Sequence, residues 1–363
     1  MWSIVMYMVV MCMIMTISTA QKTAWHGFDV DEAIVNTKTI QSEPANYGHV
    51  SPKSTAQQER DCSHLGARIP RFMLLGSPHC GTSVVWDILK HHRSVFGPQV
   101  EQGAEVHFFD DEQSFQSGCE TYADFFAGID ASSPDVFIGD MSTSYLTSPK
   151  ATTRILQSMP RKTKFVTMLC DPNQRAYDHY LAWERSGFPP QACRSTLLNR
   201  YRESFDELVR QYVQHPDENC AIFDNSDFGK LLSPWVPLWK ENRLEIIFQR
   251  DMQARPLQVL EKMSTFLEIP PWTLSELNWV VSEGFHVKNQ VSRLQQEKHQ
   301  FSSRAILAEH FRPSQSRLAQ LLPQFKTMAS DFVQTNRRFL QNSPTVGKLV
   351  ITTAAATGTD GTP

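Results

Sequence analysis

Pro70–Leu89 reads PRFMLLGSPHCGTSVVWDIL, and the fold follows from this stretch. Apolar Phe72, Met73, Leu74 and Leu75 form a short buried strand. The run stops at Gly76, passes through Ser77-Pro78-His79-Cys80, and restarts at Gly81-Thr82-Ser83 as a helix carrying Val84, Val85, Ile88 and Leu89. Strand, tight turn and helix N-terminus together make a phosphate-binding geometry. Free first-turn N–H groups face the anion, and the helix dipole adds roughly half a positive charge. Glycines at 76 and 81 let the backbone turn sharply and approach a ligand. Thr82 stands where the lysine of a nucleoside-triphosphatase loop would follow Gly81, which argues against an ATPase or GTPase. A strand–turn–helix without a ligand is the competing account.

Working outward, 363 residues with 41% hydrophobic and 20% charged content describe an ordinary globular chain of one or two domains. A net charge of −3 excludes a nucleic-acid binder that relies on bulk electrostatics, so any anion site is local. Met1–Ala20 is apolar up to Met15 and ends in small residues, which predicts a cleaved secretory leader. An uncleaved anchor is the second choice, and only then does the chain contact a membrane. Residues 21–66 read as a flexible stem, 67–342 as the domain, and 343–363 as a disordered Thr-rich tail. Cys62, Cys80, Cys119, Cys170, Cys193 and Cys220 permit disulfides in an oxidising lumen, with their pairing open. No Cys or His spacing suits a metal.

Two further stretches carry chemistry. In Glu105-Val106-His107-Phe108-Phe109-Asp110, alternation along a strand would put Glu105 and His107 on one face. They are either part of a half-buried strand or a general base aimed at a hydroxyl, with burial raising the Glu105 pKa. In Arg161–Ser186, Phe165–Leu169 is a strand, Asp171 or Asn173 caps the next helix, and Ala176, Tyr180 and Trp183 recur at helical spacing. Strand Leu244–Phe248, amphipathic helix Pro256–Leu267 and a late helix broken or begun at Pro313 continue the pattern. Alternating strands and helices predict one α/β domain with a mainly parallel sheet and the ligand beyond the strands' carboxyl ends.

Pro78-His79-Cys80-Gly81-Thr82-Ser83 resembles the 5′-phosphosulfate loop of the sulfotransferases, which use 3′-phosphoadenosine-5′-phosphosulfate (PAPS); His79 replaces the loop's lysine. Glu105, His107, Phe108, Phe109 and Asp110 match a signature of the carbohydrate sulfotransferases acting on glycosaminoglycans, in which the Glu is the base; Ala104 replaces a lysine. Ser142–Tyr145 resembles the segment lining the acceptor cleft, with a structural polar loop as the alternative. Leu169, Asp171, Pro172, Arg175, Ala176, Tyr177 and Tyr180 match the 3′-phosphate segment. Cys170 and Asp178 replace the arginine and serine that hold that phosphate, leaving Arg175, or Arg161, Lys162 and Lys164, to compensate. Val287–Phe301 takes the place of the loop that closes over the nucleotide. The likeness is best to heparan-sulfate and N-acetylgalactosamine 4-sulfate-type enzymes.

The resemblance implies a P-loop-like three-layer α/β fold, a central mainly parallel sheet flanked by helices. It implies sulfuryl transfer from PAPS to a hydroxyl of a glycosaminoglycan-type carbohydrate, with no nucleic-acid partner, in the Golgi or after secretion. Glu105, His79 and His107 would be catalytic. Pro78, His79, Cys80, Gly81, Thr82, Ser83, Cys170, Arg175 and Asp178 would bind the donor, with His79 and Arg175 facing one gap. A histidine at 79 acts only when protonated, so transfer is expected to rise from neutral pH towards about pH 6. The alternative is a catalytically silent protein of this fold that binds glycans or anions.

Overall fold

Five short strands carry the core: β1 (Phe72–Leu74), β2 (Val95–Phe96), β3 (Phe137–Met141), β4 (Lys164–Leu169) and β5 (Leu244–Phe248). All pair in parallel, in the order β2-β3-β1-β4-β5. Every residue of β1 and β3 is buried, so successive side chains, which point to opposite faces, are covered on both sides. This is the expected three-layer arrangement, here with a wholly parallel sheet. The computed structural model describes residues 60–100, 105–187, 193, 204–215, 219–284 and 303–322. The leader, most of the stem, residues 287–301 and the tail lie outside them.

Six helices of ten or more residues are described: α1 (Thr82–His91), α2 (Pro149–Ser158), α3 (Pro172–Ser186), α4 (Phe205–Gln214), α5 (Pro256–Leu267) and α6 (Arg304–Leu321). Asp171 caps α3 by accepting from the N–H groups of Asn173 and Gln174, and Pro172 occupies the first turn, where its missing N–H costs nothing. Ala176, Tyr180 and Trp183 of α3 are buried in a satellite core with Phe205, Leu208 and Phe311. α6 runs through Pro313 instead of breaking there. Leu307 and Phe311 on one side of the proline, and Leu318 on the other, are buried, and this packing outweighs the roughly 3 kcal/mol cost of an interior proline. None of the described helices is long and apolar enough to cross a membrane.

Order begins earlier than the stem boundary suggested. Cys62–Arg68 is a 3₁₀ segment in which Cys62 and Leu65 are buried, and Cys62 is bonded to Cys119. Strand β2 follows α1 after a short turn. Two more disulfides, Cys80–Cys170 and Cys193–Cys220, complete the pairing that sequence left open.

The approach of β1 and β3 requires Gly139. A methyl group there would overlap the Phe72 ring, which is itself 1% exposed and has nowhere to swing. Gly139→Ala is expected to cost about 1–3 kcal/mol in urea denaturation.

Candidate active site

The chain order of the sheet reverses between β1 and β4: the connection from β1 leads towards β2, and that from β4 leads towards β5. In open α/β sheets such a crevice, beyond the carboxyl ends of the strands, is where ligands bind. The loop after β1 enters it by extending the strand pairing. Leu75 N–H donates to Val166 O at 2.9 Å, Met168 N–H to Gly76 O at 2.6 Å and Ser77 N–H to Met168 O at 2.8 Å. Gly76 has φ 131°, and a side chain there would overlap the Thr143 carbonyl. Gly81, φ 90°, precedes α1, and no side chain caps that helix, so its first-turn N–H groups are open to an anion. Thr82 is buried and Ser83 exposed.

A cleft of about 610 Å³ adjoins this loop, lined among others by Pro78, His79, His107, Asp110, Thr143 and Ser144. Glu105 and His107 are brought together, though not by a strand: His107 adopts φ 54° in a turn. Glu105 accepts from Thr143 N–H at 3.1 Å and Thr143 Oγ1 at 2.9 Å, and His107 Nε2 lies 3.2 Å from its Oε2. On its other side His107 Nδ1 is 3.1 Å from Asp110 Oδ2 and 3.0 Å from Ser144 Oγ, which donates to Asp110 at 2.6 Å. Hydrogen bonds with Asp110, then with Glu105, push the His107 pKa up to about 10, so the imidazole is a cation. Burial pushes Glu105 up, but its bonds with His107 and Thr143 more than offset this and hold the carboxyl below its ordinary value. The expectation of a raised Glu105 pKa is therefore corrected. Protonated His107 also cannot serve as the base of a serine nucleophile at Ser144.

His79 departs further from expectation. Its ring stacks on that of His179, with centroids 4.5 Å apart. Burial, then the charges of Arg175 and Arg185, lower its pKa to about 4. It is neutral at pH 6, so it does not replace a lysine, and the expected rise in activity towards pH 6 loses its cause. Arg175 is wholly buried. Its Nε donates to Ser226 Oγ at 2.6 Å, and Nη2 donates to Ile222 O at 2.8 Å and to His179 Nδ1 at 3.1 Å. His179 thus fills the gap expected between His79 and Arg175, and Arg175 turns to the interior rather than to the donor. Cys80 and Cys170 bond to each other across the crevice and offer no thiol. Asp178 accepts from Gln174 at 3.0 Å, and burial raises its pKa to about 6. Lys164 cannot compensate: it starts β4, about 16 Å from that strand's carboxyl end, and bonds Phe266 O and Glu268.

Sequence reasoning missed His179 and the role of Thr143. The spacing of Arg175 and His179, one helical turn apart, was the available sign for the first. A second cleft of about 400 Å³ follows the open edge of β5; its charges include the pairs Lys262–Glu245 and Arg255–Asp251, and Arg250 lies over the Phe248 ring. Among the described residues no cluster of three or more His, Cys, Asp or Glu is arranged to hold a metal.

A glycine-bounded strand–turn–helix at the switch point thus lies beside a histidine held between two carboxylates. Residues 70–312 match the sulfotransferase domain family, and the chain belongs to it. It is 26% identical over 226 residues to the bifunctional heparan sulfate N-deacetylase/N-sulfotransferase 4 of Mus musculus, covering 60% of this chain and 24% of that protein. With the Drosophila melanogaster heparan sulfate N-deacetylase/N-sulfotransferase it shares 24% over 255 residues, covering 65% of this chain and 23% of that protein. The chain thus spans about a quarter of the length of these relatives. The sulfotransferase structure from Alicyclobacillus acidocaldarius matches with a TM-score of 0.47 at 18% identity, covering 70% of this chain and 95% of that one.

The stacked histidines tie stability to acid. Both His79 and His179 have folded pKa values, about 4 and about 2, below their ordinary 6.5. The unfolded chain binds their protons first, so their stabilisation is complete above about pH 6.5 and is lost as pH falls. Relative to His179→Gln, the wild type is expected to lose about 1–2 kcal/mol between about pH 6.5 and pH 5, read by denaturant titration at each pH.

Proposed function

We propose that this chain is a sulfotransferase moving a sulfuryl group from PAPS to a hydroxyl of a glycosaminoglycan-type carbohydrate in the secretory pathway. The observation that carries the reading is that His107 and Asp110 line the same cleft as Pro78 and His79 of the loop before α1, with Glu105 bonded to His107 just behind it. The donor's 5′-phosphosulfate suits that loop: Gly76 and Gly81 allow close approach, and the N–H groups of Thr82 and Ser83 offer the anion contacts. The acceptor oxygen bonds to sulfur as the sulfur–oxygen bond to the 5′-phosphate breaks. The acceptor proton passes to ionised Glu105, and the departing phosphate keeps the electron pair. Imidazolium His107 supplies the positive charge that position 79 does not, and Thr143 and Ser144 hold the two carboxylates in register around it. Three disulfides suit an oxidising lumen.

The 3′-phosphate end is a poorer match. Cys170 is consumed in a disulfide, Arg175 is internal and Asp178 is an acid. Arg304, paired with Asp171 at the start of α3, brings one guanidinium to this end. These features, and a cleft lining without Lys or Arg among the described residues, favour a second reading: a silent protein of this fold that binds glycans or anions. Calorimetry with 3′-phosphoadenosine 5′-phosphate separates the two. Micromolar binding is the enzyme's outcome, and no binding at millimolar ligand is that of the silent protein.

For the enzyme, Glu105→Gln is expected to lower kcat by about 10²–10⁴ with little change in donor affinity. Because Glu105 titrates below its ordinary value and His107 only near about 10, transfer is expected to be flat from about pH 7 to 8.5 and to fall above that. A steep rise from pH 8 to pH 6 in initial-rate assays would return the cationic role to His79.

A further inference from the structure

Asp140, in β3, is wholly buried, and the chemistry above does not use it. Its carboxylate accepts from Tyr122 Oη at 2.8 Å and from Ser142 Oγ at 3.2 Å. The same Ser142 Oγ accepts from the N–H groups of Val106 and His107, each at 3.1 Å. Tyr145 Oη accepts from Phe108 N–H at 3.0 Å and, more loosely, from Phe109 N–H at 3.5 Å. A hydroxyl has one proton and two lone pairs, and an ionised carboxylate only accepts. By drawing the proton of Ser142 towards itself, Asp140 turns that hydroxyl's lone pairs onto two consecutive backbone N–H groups. That run begins one residue after Glu105 and includes His107.

We propose that Asp140 is the positioning residue of the active site: an acceptor-only anchor that, through Ser142, fixes the backbone carrying Glu105 and His107. The proposal takes those two residues as the acid–base pair named above. An amide at 140 cannot substitute. Its NH₂, turned to Ser142, meets an oxygen whose lone pairs are already filled; turned to Tyr122, it leaves that buried hydroxyl's proton without an acceptor. Tyr122 supplies the contrast. Its hydroxyl meets the same carboxylate but neither of those backbone N–H groups, and a phenylalanine keeps its stack on Phe108.

The test compares the full chain with Asp140→Asn and Tyr122→Phe by thermal denaturation, by kcat and KM for PAPS, and by NMR titration of the His107 ring, assigned with His107→Gln. Tyr122→Phe is expected to lower Tm yet keep His107 protonated through about pH 8 and kcat within about threefold. Asp140→Asn is expected to bring the His107 midpoint down by at least about one pH unit and kcat down at least about tenfold, with KM changed less than about threefold. If the two variants leave the His107 midpoint alike, Asp140 only supports the fold and the proposal fails. Should Asp140→Asn not fold, Ser142→Ala removes both acceptor contacts and leaves the carboxylate with Tyr122; the same shift supports the proposal, and an unmoved midpoint overturns it. Absence of sulfuryl transfer in the wild type would sink the functional reading, while the titration would still decide the role of Asp140.

Discussion

The site depends on how the chain leaves β1. Rather than peeling away at Leu74, the backbone stays paired to β4 through Leu75, Gly76 and Ser77, so the turn enters the switch-point crevice already held on one side. Leu75 O also accepts from Leu146 N–H at 2.9 Å, which ties the same short segment to the turn after β3. The residues that would meet a donor and those that would meet an acceptor are thus hung from three adjacent strands. Their spacing is set by backbone hydrogen bonds, which are far stiffer than side-chain contacts.

Charge is organised around His107 rather than around arginine or lysine. A histidine between two carboxylates, each further bonded by a hydroxyl, is a small closed network in which every member stabilises the charge of its neighbour. The histidines at 79 and 179 have the opposite environment: burial beside Arg175 keeps them uncharged. Three imidazoles around one cleft therefore hold fixed and different protonation states across the pH range in which a free histidine would titrate.

Much of the fold could be read from local pattern. The glycine-bounded turn, Asp171-Pro172 at the start of α3 and the apolar spacing of Pro256–Leu267 each state a structure through a short-range cause, and each element formed where expected. What sequence could not deliver were properties set by distant partners. Glu105 is held low by His107 in a turn no strand pattern foretold and by Thr143, 38 positions away, and the fate of Arg175 depends on Ser226, 51 positions away. Cys80 and Cys170 read as donor contacts because their neighbours matched a family pattern, whereas their pairing is a fact of tertiary distance. Pro313 misled for the same reason: a local rule yielded to burial on both sides of it.

The disulfide between Cys80 and Cys170 spans 90 positions, and the one between Cys62 and Cys119 spans 57. The two covalent rings overlap, and Glu105, His107 and Asp110 all lie in the shared arc. A protease that nicks an exposed turn within that arc frees no fragment, since both new ends stay tethered through sulfur. The molecule carries residues 105–110 inside a double loop of chain, and a single nick there separates the two halves only after reduction.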